Sequence, residues 1–345
     1  MELTTAHMIE YKNESCIELK AGGYVAMIAP GIGSNVIRLR DEANDIEIFR
    51  FDPAVSIEEI KQSPEVYGLP SLYLPNRLNG GLLKASDATY HLPVNEVDLG
   101  NFLHGFLHKR KHSVVDVTAT ETEAIAKTEY LYDESDEYFQ YLPITFKVEY
   151  TFTLSETGFY YEQTFTNLSK VQMPFGTATH TTMMGPFTSN GEGKDMRLYI
   201  PIGEKWKLSD RCLPTTDLIP LDNHDRQYIT GSLVPVKQII DNDVYYALEG
   251  EVDGEPFYGA LITDLGSGKE IRYEVCKDYK FWVIWNDRGE KGYFCPEPMS
   301  WMIDAPNLPL APEDSGYEEL APGESKTMTQ HIYTKAPKKA AGFKK

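Results

Sequence analysis

From Phe146 to Leu154 the chain alternates without a break. Phe146, Val148, Tyr150, Phe152 and Leu154 are apolar, and Lys147, Glu149, Thr151 and Thr153 between them are polar. Side chains of an extended strand point alternately to its two faces, so as a β-strand this segment buries all its apolar groups on one face. Wound as a helix it would divide them between opposite sides. The turn residues Ser155-Glu156-Thr157-Gly158 lead into a second aromatic and β-branched run, Phe159 to Phe165, which predicts a hairpin. Short strands are also predicted at 24–27, 35–39, 113–118, 124–132, 244–248, 258–262 and 326–333, separated by turn or polar residues. One helix is expected, at residues 56–62. Ser56 with Glu59 makes a capping box, and Pro64 disfavours helix at Ser63. The pattern predicts an all-β fold, a large antiparallel β-sandwich with little helix. Residues 1–335 form one domain in this reading, and 336–345 a basic, frayed tail.

The bulk properties narrow the partners. Among 345 residues the formal charge is −19, which argues against nucleic acid and anionic membrane and leaves a neutral small molecule unaffected. The N-terminus has neither a basic nor an apolar signal region, and no run approaches the roughly 18 apolar residues of a membrane span. Four cysteines, Cys16, Cys212, Cys276 and Cys295, show no CxxC spacing and suit a reducing compartment. A soluble cytoplasmic protein is the expectation.

Five segments carry residues suited to chemistry. Cys295-Pro296-Glu297-Pro298 follows the aromatic run Phe281 to Trp285 and precedes Asp304-Ala305-Pro306-Asn307. Two proline rings restrict the backbone around Glu297, as a positioned acid–base group requires, although a surface Glu in a proline-rich turn gives the same pattern. The stretch Tyr67 to Gly81 reads as a shaped loop in which Asn76-Arg77 offers amide and guanidinium groups to hydroxyls, or Arg77 to a neighbouring carboxylate. His104 precedes Gly105, which lets a ligand or another backbone come close. His108, His112 and Lys109-Arg110-Lys111 read as a solvated patch, with phosphate binding as the alternative. His180 stands beyond the Pro174-Phe175-Gly176 loop among threonines. Asp241 and Asp243 lie at the mouth of an apolar strand, where an Asx turn is the plain explanation. No His-x-His or HExxH spacing supports a metal.

In this order the segments resemble the aldose 1-epimerase (galactose mutarotase-like) family. Pro75-Asn76-Arg77 matches its Asn-Arg element, Leu103-His104-Gly105 its first histidine and Pro174 to His180 its second. Cys295-Pro296-Glu297-Pro298 with Ala305-Pro306-Asn307 matches its Glu-Pro signature, and the resemblance spans about residues 20 to 335. It implies a galactose mutarotase-like supersandwich and a sugar site that needs no cofactor and no metal. Glu297 would take the proton of the anomeric hydroxyl and His180 would protonate the ring oxygen. Asn76, Arg77, His104 and an acid would hold the free monosaccharide. Asp243 fits that acid best, with Asp241 as the alternative. The histidine is followed by Gly-Phe, where galactose-active members commonly have Gly-Gly, so a preference for galactose is not implied. A non-catalytic sugar-binding protein of the same fold and a hexose-6-phosphate 1-epimerase are the other readings. The oligomeric state is not legible.

Overall fold

A computed structural model describes residues 3–337; of the expected tail at 336–345 only Ala336 and Pro337 fall among them, and the remainder lies outside the described residues. The alternating segment is the strand Phe146–Ser155, its apolar side chains buried and its polar ones half-exposed. It turns through Glu156-Thr157 into Gly158–Asn167, paired from Ser155↔Gly158 to Phe146↔Asn167. Gly158 has φ of +110°, and a Cβ there would fall 2.5 Å from the Ile332 carbonyl on the next strand, so only glycine closes this turn.

This hairpin is central to an eight-stranded antiparallel sheet. Its order is Ser113–Ala119, Ala124–Tyr132, Phe146–Ser155, Gly158–Asn167, Ser325–Lys335, Lys269–Val275, Gly259–Asp264 and Met196–Tyr199. A second large sheet runs Pro214–Ile219, Ile202–Leu208, Asp243–Ala247, Phe281–Trp285, Tyr293–Met299, Ala178–Thr179 and Ser71–Leu72, with Met183–Met184 also paired to Tyr293–Met299. A five-stranded meander from Thr5–Tyr11 to Ile46–Glu47 lies against the first sheet. Every strand pair among the described residues is antiparallel, and one buried apolar cluster reaches from Ile17 to Ile332. The fold is therefore the predicted all-β sandwich, with three short α-helices among the described residues.

Apolar and polar contacts hold the large sheets together. Tyr273 meets Trp282 edge-on at 6.1 Å, and Tyr73 packs on Phe146 and Phe165 at 4.8 and 5.8 Å. Beside them runs a buried hydrogen-bonded chain. Ser71 Oγ donates to Gln163 Oε1 at 2.6 Å, and the Gln163 and Gln330 amides donate to Tyr279 Oη at 3.1 and 2.8 Å. The Tyr273 hydroxyl donates to Gln330 Oε1 at 2.6 Å. A buried polar chain is favourable only when its members are satisfied, and this one ends beneath the candidate site.

The helix forms at Ile57–Gln62, where Ser56 Oγ accepts the Glu59 N–H at 3.1 Å. The reciprocal arm of the capping box is replaced: Glu59 Oε1 accepts the Tyr67 hydroxyl at 2.6 Å. Ser56→Ala is expected to cost about 1 kcal/mol, read as a lower urea midpoint. An unchanged midpoint would mean that the cap does not stabilise this turn.

Two expectations are corrected. The stretch from Tyr67 to Gly81 is not all loop, because Ser71–Leu72 and Arg77–Asn79 join sheets. His108 and His112 are not solvated; both are 2 % exposed. A 3-10 turn at Leu107–Lys109 presses this segment onto Gly33, whose N–H donates to the Arg110 carbonyl at 2.7 Å, and His112 stacks on Tyr130. Burial pushes the His112 imidazole down to about 3, so it is neutral.

Candidate active site

Glu297 sits in the middle of the strand Tyr293–Met299, not in a surface turn, and is 2 % exposed. Two prolines inside a central strand are unusual because each removes a ladder donor. Here the ladder to Phe281–Trp285 is continuous, with Trp285↔Cys295, Val283↔Glu297 and Phe281↔Met299 as partners. On the other flank the strand pairs only near its ends, with Ala178 at Met299 and with Met183 and Met184 at Phe294 and Tyr293. The gap opposite Cys295 to Pro298 therefore has no ladder for the prolines to break. That gap holds the carboxylate.

His180 enters the gap for a reason that begins in the core. The hydroxyls of Thr179 and Thr181 both meet Tyr273 Oη, at 2.9 and 3.0 Å. With its two neighbours turned inward, His180 must project to the opposite face. Its backbone N–H is held by the Pro70 carbonyl at 3.1 Å. The ring reaches Glu297, with Nε2 3.2 Å from Oε1.

Asn76, Arg77 and His104 meet through a short ladder. Arg77–Asn79 pairs with Asn101–Leu103 so that Arg77 faces Leu103, and the His104 N–H donates to the Asn76 carbonyl at 2.7 Å. Asn76 and His104 take left-handed φ values of 52° and 63°, which turn both side chains off the strand ends. Gly105 follows with φ of +62°; a Cβ there would lie 2.0 Å from the Tyr73 carbonyl, so the close approach is by backbone and not by ligand. The His104 ring stands edge-on to His180 at 5.1 Å between centroids. Asp304 and Asn307 clamp this ladder from behind. The Asp304 N–H donates to the Arg77 carbonyl at 2.9 Å, and Asp304 Oδ1 accepts the N–H of Asn79 at 2.9 Å and the Asn307 amide at 2.6 Å.

Arg77 pairs with a neighbouring carboxylate, as one reading of its sequence expects. Nε and Nη2 hold Glu96 with contacts of 3.0 and 2.9 Å, leaving Nη1 to face Asn76 and Asn242, each at 3.3 Å. Glu96 is in turn gripped by the Asn101 amide at 2.8 Å. Glu96 escaped sequence analysis because nothing near it forms a motif; only the ladder brings it to Arg77. Glu96→Ala is expected to cost about 1.5–3 kcal/mol of stability, the range for charged hydrogen bonds. An unchanged melting temperature would show that the fork does not hold this ladder.

Asp243 is not brought to the cavity. Its carboxylate is bound by Lys205 Nζ at 2.9 Å, His224 Nε2 at 2.9 Å and the Tyr228 hydroxyl at 3.1 Å, a network that also holds Asp225. The strand Asp243–Ala247 begins there, and Asp243 is not among the residues that line the cavity. The preceding residue, Asn242, with φ of 54°, lines the cavity and donates to Asp241 Oδ1 at 2.9 Å. The exposed acid beside the mouth is therefore Asp241.

Glu65, Val66, Asn76, Arg77, Leu103, His104, His180, Asn242, Trp285 and Glu297 enclose a cavity of about 230 Å³. That is below the roughly 300–1,000 Å³ of drug-sized sites and suits a monosaccharide. Three buried polar atoms on its walls have no protein partner: Glu65 Oε2, His104 Nδ1 and His180 Nδ1. Such groups are costly unless a ligand or water pairs with them. A larger groove of about 590 Å³ lies over Trp206 and Tyr246, but its rim acids Glu204 and Asp314 have no histidine beside them. Burial drives the Glu297 carboxyl well above the ordinary range, with the Arg77 guanidinium pulling the other way. Burial pushes His180 down to about 4. Carboxyl and imidazole stand 3.2 Å apart, close enough to exchange a proton and so to supply a base and an acid.

The fold is that of a galactose mutarotase-like β-sandwich. The sequence profile of the aldose 1-epimerase family matches residues 15–333, and the chain belongs to that family. Among solved structures it is similar to a galactose mutarotase-like protein from Clostridium acetobutylicum, with 30% identity and a TM-score of 0.94 over 97% of this chain and 99% of the other. It shares its fold with galactose 1-epimerase from Lactobacillus acidophilus NCFM, at 13% identity and a TM-score of 0.70, over 97% and 99% of the two chains. The aldose epimerase homologue from C. elegans is similar at 15% identity and a TM-score of 0.69, over 96% and 99%.

Proposed function

We propose that this protein is a mutarotase, interconverting the α and β anomers of a free aldose by general acid–base catalysis. The observation that carries the reading is the Glu297–His180 contact at 3.2 Å in a small cavity where Glu65 Oε2, His104 Nδ1 and His180 Nδ1 have no protein partner. Glu297 takes the proton of the anomeric hydroxyl as its oxygen becomes the aldehyde carbonyl. His180 gives a proton to the ring oxygen as the bond from C1 to that oxygen breaks. Rotation about C1–C2 presents the other face of the aldehyde, and the proton transfers reverse as the ring closes. Arg77 Nη1, Asn76, His104 and Asn242 hold hydroxyls, with Asp241 at the mouth in place of Asp243. No step calls for a cofactor.

Polarimetry from pure α-glucose or α-galactose tests this: the protein is expected to shorten the approach to equilibrium. Saturable binding by calorimetry without acceleration would make it a sugar-binding protein instead. The basic run 109–111 does not line the cavity. Lys109 and Lys111 are exposed away from its walls, and Arg110 is committed to Asp136 at 2.6 Å.

A further inference from the structure

The structure sets a third donor beside the Glu297–His180 pair. Cys295 lies two residues before Glu297 on one strand, so their side chains share a face. It stands opposite Trp285, a wall of the cavity. A ligand atom from each of Cys295, His180 and Glu297 lies within 4.8 Å of the others, and all three residues are buried. No metal motif is legible in the sequence, because His180 reaches the other two across the gap between strands.

We infer that Cys295, His180 and Glu297 form a binding site for a thiophilic divalent cation of the zinc class, and that the bound cation closes the cavity to sugar. Thiolate sulfur, imidazole nitrogen and carboxylate oxygen are the three donor types that zinc takes. A tetrahedral zinc with nitrogen and oxygen each at about 2.0–2.1 Å holds those two atoms roughly 3.3 Å apart. His180 Nε2 and Glu297 Oε1 are already separated by 3.2 Å. Three protein ligands leave the fourth position to water on the cavity side.

Charge favours the assembly. Binding releases the thiol and carboxyl protons to solvent, and the two resulting anions neutralise the dication. Thr182 Oγ1, 3.6 Å from Cys295 Sγ, supports the sulfur. The site shares His180 and Glu297 with the proposed sugar chemistry, so a bound cation competes with sugar. The inhibition rests on the proposed anomer exchange; the binding does not.

The experiment titrates the reduced, full-length protein with Co²⁺. Wild type is expected to develop a thiolate-to-cobalt charge-transfer band that saturates at one equivalent and is displaced by Zn²⁺. Saturating glucose should raise the apparent Kd. C295S and C295A should lack the band while keeping wild-type anomer exchange. E297Q should keep it with binding weakened about tenfold or more, on the scale of a lost metal-site partner. Zn²⁺ should inhibit wild type, EDTA should restore it, and C295S should need about tenfold more Zn²⁺. No band in wild type, or a band that survives in both Cys295 variants, would overturn the site; survival would assign the sulfur to Cys16, Cys212 or Cys276. A band that follows Cys295 in a protein without anomer exchange would leave the metal site standing and remove the mutarotase reading. Exchange without the band would do the reverse.

Discussion

Glu297→Gln is expected to slow anomer exchange by about 10²–10⁴-fold, the usual contribution of one general acid–base group. Gln keeps the shape of the side chain and can still hydrogen-bond His180, so sugar affinity should change little. The loss then falls on kcat, as it does for an interaction made in the transition state. Stability should move the other way. The Glu297 carboxyl is raised in the folded protein from an ordinary value of 4.5, so folding favours its protonated form. Its contribution is fully present below pH 4.5 and is lost as pH rises through the raised value. Gln has no such loss, and the variant should become progressively more stable than wild type as pH rises over that range. A melting-temperature difference that does not vary with pH would show that the buried carboxyl is not raised.

His180→Asn is expected to produce a loss of similar size, about 10²–10⁴-fold, because protonation of the ring oxygen is then left to water. The fold should tolerate it. Thr179 and Thr181 remain tied to Tyr273, and the backbone N–H remains bound to Pro70. The double variant should be little worse than either single one, since acid and base act on one bond as a unit. Multiplying losses in the double variant would mean that the two residues act in separate steps. Circular dichroism and sugar binding by calorimetry would separate a chemical defect from a folding one.

What was legible in the sequence follows from what is local. The alternation at Phe146 to Leu154 and the Ser56–Glu59 cap act over neighbouring residues, so both were readable and both are present. Glu297, His180, His104, Asn76 and Arg77 could be named from segments, and the sandwich brings all five to one cavity. That the proline segment is a strand was not legible. Proline argues against a central strand, and only the missing ladder on one flank permits it. His108 and His112 read as solvated because basic residues surround them, yet the turn onto Gly33 buries them. Asp243 and Asn242 differ by one position at a strand entrance, and a one-residue step reverses which side chain faces the cavity. Glu65 and Glu96 have no local signature at all. Their places are set by contacts distant in the chain.

The central claim is that Glu297 and His180 open and close a sugar ring. Exchange spectroscopy on glucose labelled with ¹³C at C1 measures it at equilibrium, as transfer of magnetisation between the α and β C1 signals. Wild type in catalytic amount should produce exchange well above the buffer rate, and Glu297→Gln, with sugar affinity retained, should return it close to that of buffer. Equal exchange with the two proteins, or none above buffer with wild type for either glucose or galactose, would contradict the account.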